Sequence, residues 1–82
     1  MVVDLSPQVD KYIKKLHEPI KSRINKALDK LEGNPPQGDI SPLAGQDGYR
    51  LRVGKYRLLF DIFEQVIIVH TIDLRGQVYK KR

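Results

Sequence analysis

The stretch Tyr49-Arg50-Leu51-Arg52-Val53-Gly54-Lys55-Tyr56-Arg57-Leu58-Leu59-Phe60 carries the strongest structural signal in this 82-residue chain. Two β-patterned runs flank Gly54-Lys55, which suits a two-residue hairpin loop of type II′, with glycine at the position that requires positive φ. That turn predicts a register in which Val53 faces Tyr56, Arg52 faces Arg57, Leu51 faces Leu58, Arg50 faces Leu59 and Tyr49 faces Phe60. Side chains alternate across a sheet, so Tyr49, Leu51, Val53, Tyr56, Leu58 and Phe60 share an apolar face while Arg50, Arg52 and Arg57 share the other.

Like charges directly opposite each other weaken a sheet by a fraction of a kcal/mol to about 1 kcal/mol, so Arg52 against Arg57 is a cost that folding alone does not require. The arginines can splay into water or pair with Asp61 or Glu64 of the neighbouring run. They can also hold phosphate, because a guanidinium fork donates two parallel hydrogen bonds to its oxygens. On the second reading the face is a phosphate clamp, with Lys55 at its tip.

Upstream of the hairpin, Val2 to Leu5 reads as a short strand. Ser6 is placed to cap a helix and Pro7 suits its first turn; Val9, Tyr12, Ile13 and Leu16 follow at i, i+3, i+4, i+7 spacing. His17-Glu18-Pro19 interrupts that pattern, and Ile20, Ile24, Ala27, Leu28 and Leu31 resume it, with Lys21, Arg23, Lys26, Asp29 and Lys30 mostly on the wet side. Gly33 is expected as a left-handed C-terminal cap before Asn34-Pro35-Pro36 stops the helix. A connector without periodic structure is expected from there to about Gly48, anchored to the core by Leu43.

Downstream, Tyr56 to Phe63, Val66 to Ile72 and Gln77 to Lys80 continue the hairpin as an antiparallel meander. The predicted fold is α+β: an N-terminal strand and a two-helix hairpin packed on a twisted antiparallel sheet of about four to five strands, as a single domain over residues 1–82.

Fifteen Lys and Arg against ten Asp and Glu give a formal charge of +5, which favours polyanionic partners but also serves solubility. The chain has no cysteine, which excludes disulfides and thiolate metal sites and makes the cytoplasm the expected location. No apolar run approaches the roughly 20 residues of a membrane span, and the N-terminus lacks a signal-peptide pattern. The two histidines are far apart and the glycines do not form a nucleotide-binding loop, so neither metal nor cofactor is expected.

The ending, Asp73-Leu74-Arg75-Gly76-Gln77-Val78-Tyr79-Lys80-Lys81-Arg82, adds further cations and an aromatic ring suited to stacking on an unpaired base. Together with Leu43-Ala44-Gly45 and the Tyr49 to Phe60 string, this close resembles the toxins of the RelE/ParE superfamily, and the Arg75-Gly76-Gln77-Val78-Tyr79 segment resembles its RelE side. The resemblance implies a toxin of a type II toxin-antitoxin system that cleaves messenger RNA in the ribosomal A site. It also implies a cognate antitoxin, a ribosome and mRNA as partners, no membrane, and a monomeric free toxin. ParE-like relatives on a similar scaffold inhibit DNA gyrase, which is the alternative.

By that resemblance Arg52, Arg57, Arg75 and Tyr79 are the candidate catalytic residues, and Arg50, Lys55, Lys80, Lys81 and Arg82 the candidate RNA-binding residues. RelE itself carries lysines where this chain has Arg50 and Arg52, and a guanidinium is never deprotonated, so these arginines cannot act as the general base. Tyr79 is the leading candidate for orienting RNA or moving a proton. His70 lies in a predicted central strand, where a lone histidine is usually packed and hydrogen-bonded. A tight Glu64-Gln65 turn would place it opposite Leu59 on the arginine side, in reach of an accessory role. His17 is expected as an exposed turn residue.

Overall fold

Ser6, in extended conformation with ψ 156°, accepts a hydrogen bond from the Val9 amide (3.2 Å) and starts helix α1, Pro7–Lys14. This capping satisfies one of the free amides of the first turn. The second helix, α2 (Ile20–Leu31), begins after Pro19, whose side chain cannot cap. Glu18 caps in its place, with Oε1 accepting from the Ser22 amide (3.1 Å) and hydroxyl. Both helices bury one stripe, Val9 and Ile13 from α1 and Ile24, Leu28 and Leu31 from α2. His17, between them, is exposed.

The computed structural model describes residues 1–74. Among the described residues five strands, β1 (Val2–Leu5), β2 (Ile40–Pro42), β3 (Tyr49–Val53), β4 (Tyr56–Phe63) and β5 (Val66–Leu74), form one sheet in the order β1-β5-β4-β3-β2. The chain starts at one edge, crosses the face as two helices, enters the opposite edge as β2, and steps back antiparallel. It thus arrives beside β1 with β5 running parallel to it, Val2 opposite Val66 and Leu5 opposite Val69. The α+β class and the helical hairpin on the sheet are as expected, and this one parallel pair makes the sheet mixed. The run Gln77 to Lys80 lies outside the described residues.

The β3–β4 register is the predicted one, residue for residue from Val53 opposite Tyr56 to Tyr49 opposite Phe60. Gly54 has φ 59°, as a type II′ turn needs. Leu51, Leu58 and Phe60 are buried against the helices with Ile67, Val69 and Ile72 of β5, and no polar or charged residue is buried with them among the described residues. At the rim, Tyr12 meets Tyr56 edge-on (centroids 6.3 Å apart, 78°) and Tyr49 stacks on Phe60 at 5.5 Å. Burial, followed by the neighbouring Tyr56 and Asp73, raises the pKa of Tyr12.

Three local expectations fail for identifiable reasons. The connector holds β2, three residues that acquire strand geometry by pairing with Leu51, Arg50 and Tyr49. Gly33 does not take up a left-handed conformation; α2 closes instead through right-handed Glu32, whose amide donates to Asp29 and Lys30 carbonyls. Crowding explains the glycine better, since a Cβ at Gly33 would stand 3.0 Å from the Pro35 carbonyl oxygen. Leu43 is half-buried outside the core cluster and closes a turn through its amide and the Gly48 carbonyl (3.0 Å).

Leu58 has no exposed surface, so Leu58→Ala is expected to cost about 2–5 kcal/mol in a denaturant titration; a loss under about 1 kcal/mol would contradict the described core. The hydrogen bonds from Ser22 lower the pKa of Glu18 below its ordinary value. A depressed carboxylate stabilises the fold above its unfolded-state pKa and loses that contribution as pH falls through the folded-state value. The melting temperature of Glu18→Gln should therefore lie below that of the parent near neutrality and converge with it in acid.

Candidate phosphate-binding face

Alternation along β3 and β4 sends Arg50, Arg52 and Arg57 to the face opposite the helices, where Arg52 stands directly across from Arg57. All three are half-buried. Arg50 donates from Nη2 to Ser41 Oγ on β2 (2.9 Å), while its Nε is enclosed without a hydrogen-bond acceptor among the described residues. Arg57 lies between Arg52 and Asp73 of β5, its register partner on the other side. The carboxylate opposite the pair is thus Asp73, while Asp61 stands beside His70 and Glu64 occupies the β4–β5 turn.

Arg52 has a second neighbourhood. β2 pairs with Tyr49 to Leu51, and just past it the Arg52 amide donates to the Asp39 carbonyl (3.0 Å). There Arg52 lines a cleft of about 280 Å3 with Arg23, Lys26 and Lys30 of α2 and with Asp39. The i, i+3, i+7 spacing of the three α2 cations is the sequence signal for this cluster, because such residues share a helix face. Taken by itself that spacing describes a solvated stripe, and only the β3 edge turns it into the wall of a cleft. Lys55 is exposed at the hairpin tip, beside a second cleft lined by Ile20, Arg23, Tyr56 and Leu74.

The predicted site residues thus divide. Arg50, Arg52 and Arg57 are brought together on one face, while Lys55, exposed in the hairpin turn, lines the cleft with Ile20 and Arg23 of α2. Arg75, Tyr79, Lys80, Lys81 and Arg82 lie outside the described residues. Ser41 and Asp73 belong to the same surface, and neither was legible as such: Ser41 sits in the unpredicted β2, and the position of Asp73 depends on a bulge in β5. That bulge falls between Leu59, opposite Thr71, and Phe60, opposite Val69; His70 is the extra residue. It is exposed, where a packed histidine was the expectation, and it does not stand opposite Leu59.

The sequence model described as "ParE toxin of type II toxin-antitoxin system, parDE" matches residues 3–79. The chain belongs to this toxin family, within the RelE/ParE superfamily. Its fold is similar to that of the archaeal RelE-RelB complex from Pyrococcus horikoshii OT3 (TM-score 0.78, 28% identity, 93% of this chain and 96% of that one). It is also similar to the RelB-RelE antitoxin-toxin complex from Methanococcus jannaschii (TM-score 0.76, 22% identity, 94% and 95%). The isolated E. coli RelE toxin gives a TM-score of 0.74 at 22% identity over 98% of this chain and 92% of that one. Comparison of the sequence with curated proteins returns no match.

A charge retained for binding and not for folding has a measurable signature. Arg52→Gln should leave stability unchanged or raise it by up to about 1 kcal/mol, by relieving the pairing with Arg57. The same variant should bind single-stranded RNA more weakly, with a salt dependence shallower by roughly 0.7 in log–log slope, the share of one phosphate contact. Denaturant unfolding and RNA titrations across salt concentrations measure the two; destabilisation with unchanged RNA binding would make Arg52 structural.

Proposed function

We propose that this toxin, acting as one domain over residues 1–82, is a ribosome-dependent endoribonuclease that cuts messenger RNA in the A site and so inhibits translation. The observation that carries this reading is the co-facial Arg50, Arg52 and Arg57, with Arg52 and Arg57 directly opposed. The 28% identical RelE chain over nearly the full length of both proteins supports it.

In such a cleavage the ribose 2′-hydroxyl attacks the adjacent phosphate and expels the next nucleotide's 5′-oxygen, leaving a 2′,3′-cyclic phosphate. Negative charge grows on the phosphate oxygens, and fixed donors aimed at them lower the barrier. Arg52 and Arg57, joined by Arg75, fill that role. Arg50, Lys55, Lys80, Lys81 and Arg82 hold the RNA backbone. Tyr79 stacks on a base or moves a proton, and the ribosome supplies the remaining groups. The cell's restraint is a cognate antitoxin whose acidic groups neutralise the arginine face; RelB plays the partner in the P. horikoshii complex.

The ParE name of the matching family favours a second reading, inhibition of DNA gyrase by the same basic scaffold without RNA chemistry. A cell-free translation reaction with mapped mRNA ends separates the two. Codon-registered cuts that appear only on ribosome-bound message, and fall about 10²–10³-fold with Arg57→Ala, are the expected result. Intact message with continued protein synthesis, together with lost gyrase supercoiling, would establish the alternative.

A further inference from the structure

The proposed cleavage needs a group that accepts the 2′-hydroxyl proton, and the arginines of the sheet face cannot be that group. On the same face, β5 carries one residue more than β4 at Leu59/Phe60, and the extra residue is His70. A bulge re-aims the side chain it carries and recurs beside active sites. Here both ring nitrogens are engaged. Nδ1 lies 2.9 Å from Thr71 Oγ1, and Nε2 lies 3.4 Å from Asp61 Oδ2.

The Asp61 carboxylate has a cleared seat. Its Oδ1 stands 2.9 Å from where a Cβ on Gly48 would be, and Gly48, at φ 110°, is the residue that precedes β3. A Cβ at position 48 would crowd that oxygen, so a side chain there would force the carboxylate to shift. The pair is also near the clamp: Thr71 is opposite Leu59 and Asp73 opposite Arg57, so the bulge sits roughly 7 Å along the strands from Arg57.

We propose that His70 is the general base of the cleavage, with Asp61 as its positioning residue; this rests on the ribonuclease reading above. The tautomer protonated on Nε2 faces Asp61 and leaves Nδ1 as the acceptor. The RNA 2′-hydroxyl takes the place of the Thr71 hydroxyl at Nδ1 and gives it its proton as the O2′–P bond forms. The P–O5′ bond breaks with its electron pair on O5′, which takes a proton from water. Asp61 balances the imidazolium until it returns its proton to solvent, the part a carboxylate plays beside a catalytic histidine.

The test is single-turnover cleavage of ribosome-bound message from pH 5 to 8. The charged and titratable groups around His70 are Asp61 and Arg57 on β4, Asp73 on β5 and Tyr12 from α1. His70→Gln should lower the rate about 100-fold or more, the worth of a positioned base, and abolish the rising limb of the profile. Asp61→Asn should lose roughly two- to fivefold, as befits an exposed ion pair. Both variants should keep the parent's melting temperature. A His70→Gln protein that cuts at the parental rate, or with the parental pH profile, overturns the assignment while leaving the ribonuclease reading intact. Parent protein that leaves the message uncut removes both.

Discussion

The two-residue turn at Gly54-Lys55 is the constraint on which the rest of the molecule depends. It sets β3 against β4 in a single register, and a slip of one residue would turn every side chain of a strand to the other face. In the observed register Leu51, Leu58 and Phe60 meet α1 and α2, and three guanidinium groups are left on the opposite surface. Core and site are therefore one decision. The burial of those three side chains pulls against any rearrangement that would let Arg52 and Arg57 move apart, so hydrophobic packing holds the cationic pair in place.

Elements that announce themselves by local chemistry were legible in the amino-acid order. Ser6 and Pro7 mark the start of α1, the apolar spacing from Ile20 to Leu31 marks α2, and Gly54 marks the hairpin. Elements created by pairing were not. β2 contains a proline and only three residues, and its strand character comes from the β3 edge it meets. The parallel direction of β1 follows from the path of the whole chain, which no stretch of four residues can encode. Gly33 is a case of the right residue for a different reason, steric crowding in place of a left-handed dihedral.

The site was legible to the same extent. Charge alternation along one hairpin is enough to gather Arg50, Arg52 and Arg57, but their neighbours come from other strands. Ser41 reaches Arg50 from β2, and Asp73 reaches the row of Arg57 through a shifted β5. A trace of that shift exists in the sequence: the buried positions move from odd numbers, Ile67 and Val69, to an even one, Ile72. In a run as uniformly apolar as Val66 to Val69 the change of parity is easily overlooked. The family motif and the hairpin register are read from the same Tyr49 to Phe60 stretch, and both draw attention to its arginines.

The β5 bulge has a consequence for how such a scaffold can diversify. Without His70, Val69 would be followed directly by Thr71, inward and outward positions would alternate without interruption, and every other cross-strand pair could keep its partner. The histidine is thus in effect one added residue that sets an imidazole beside Asp61 at little cost to the architecture beneath it. A lineage of such chains can gain or lose that group in a single step while the fold is inherited unchanged.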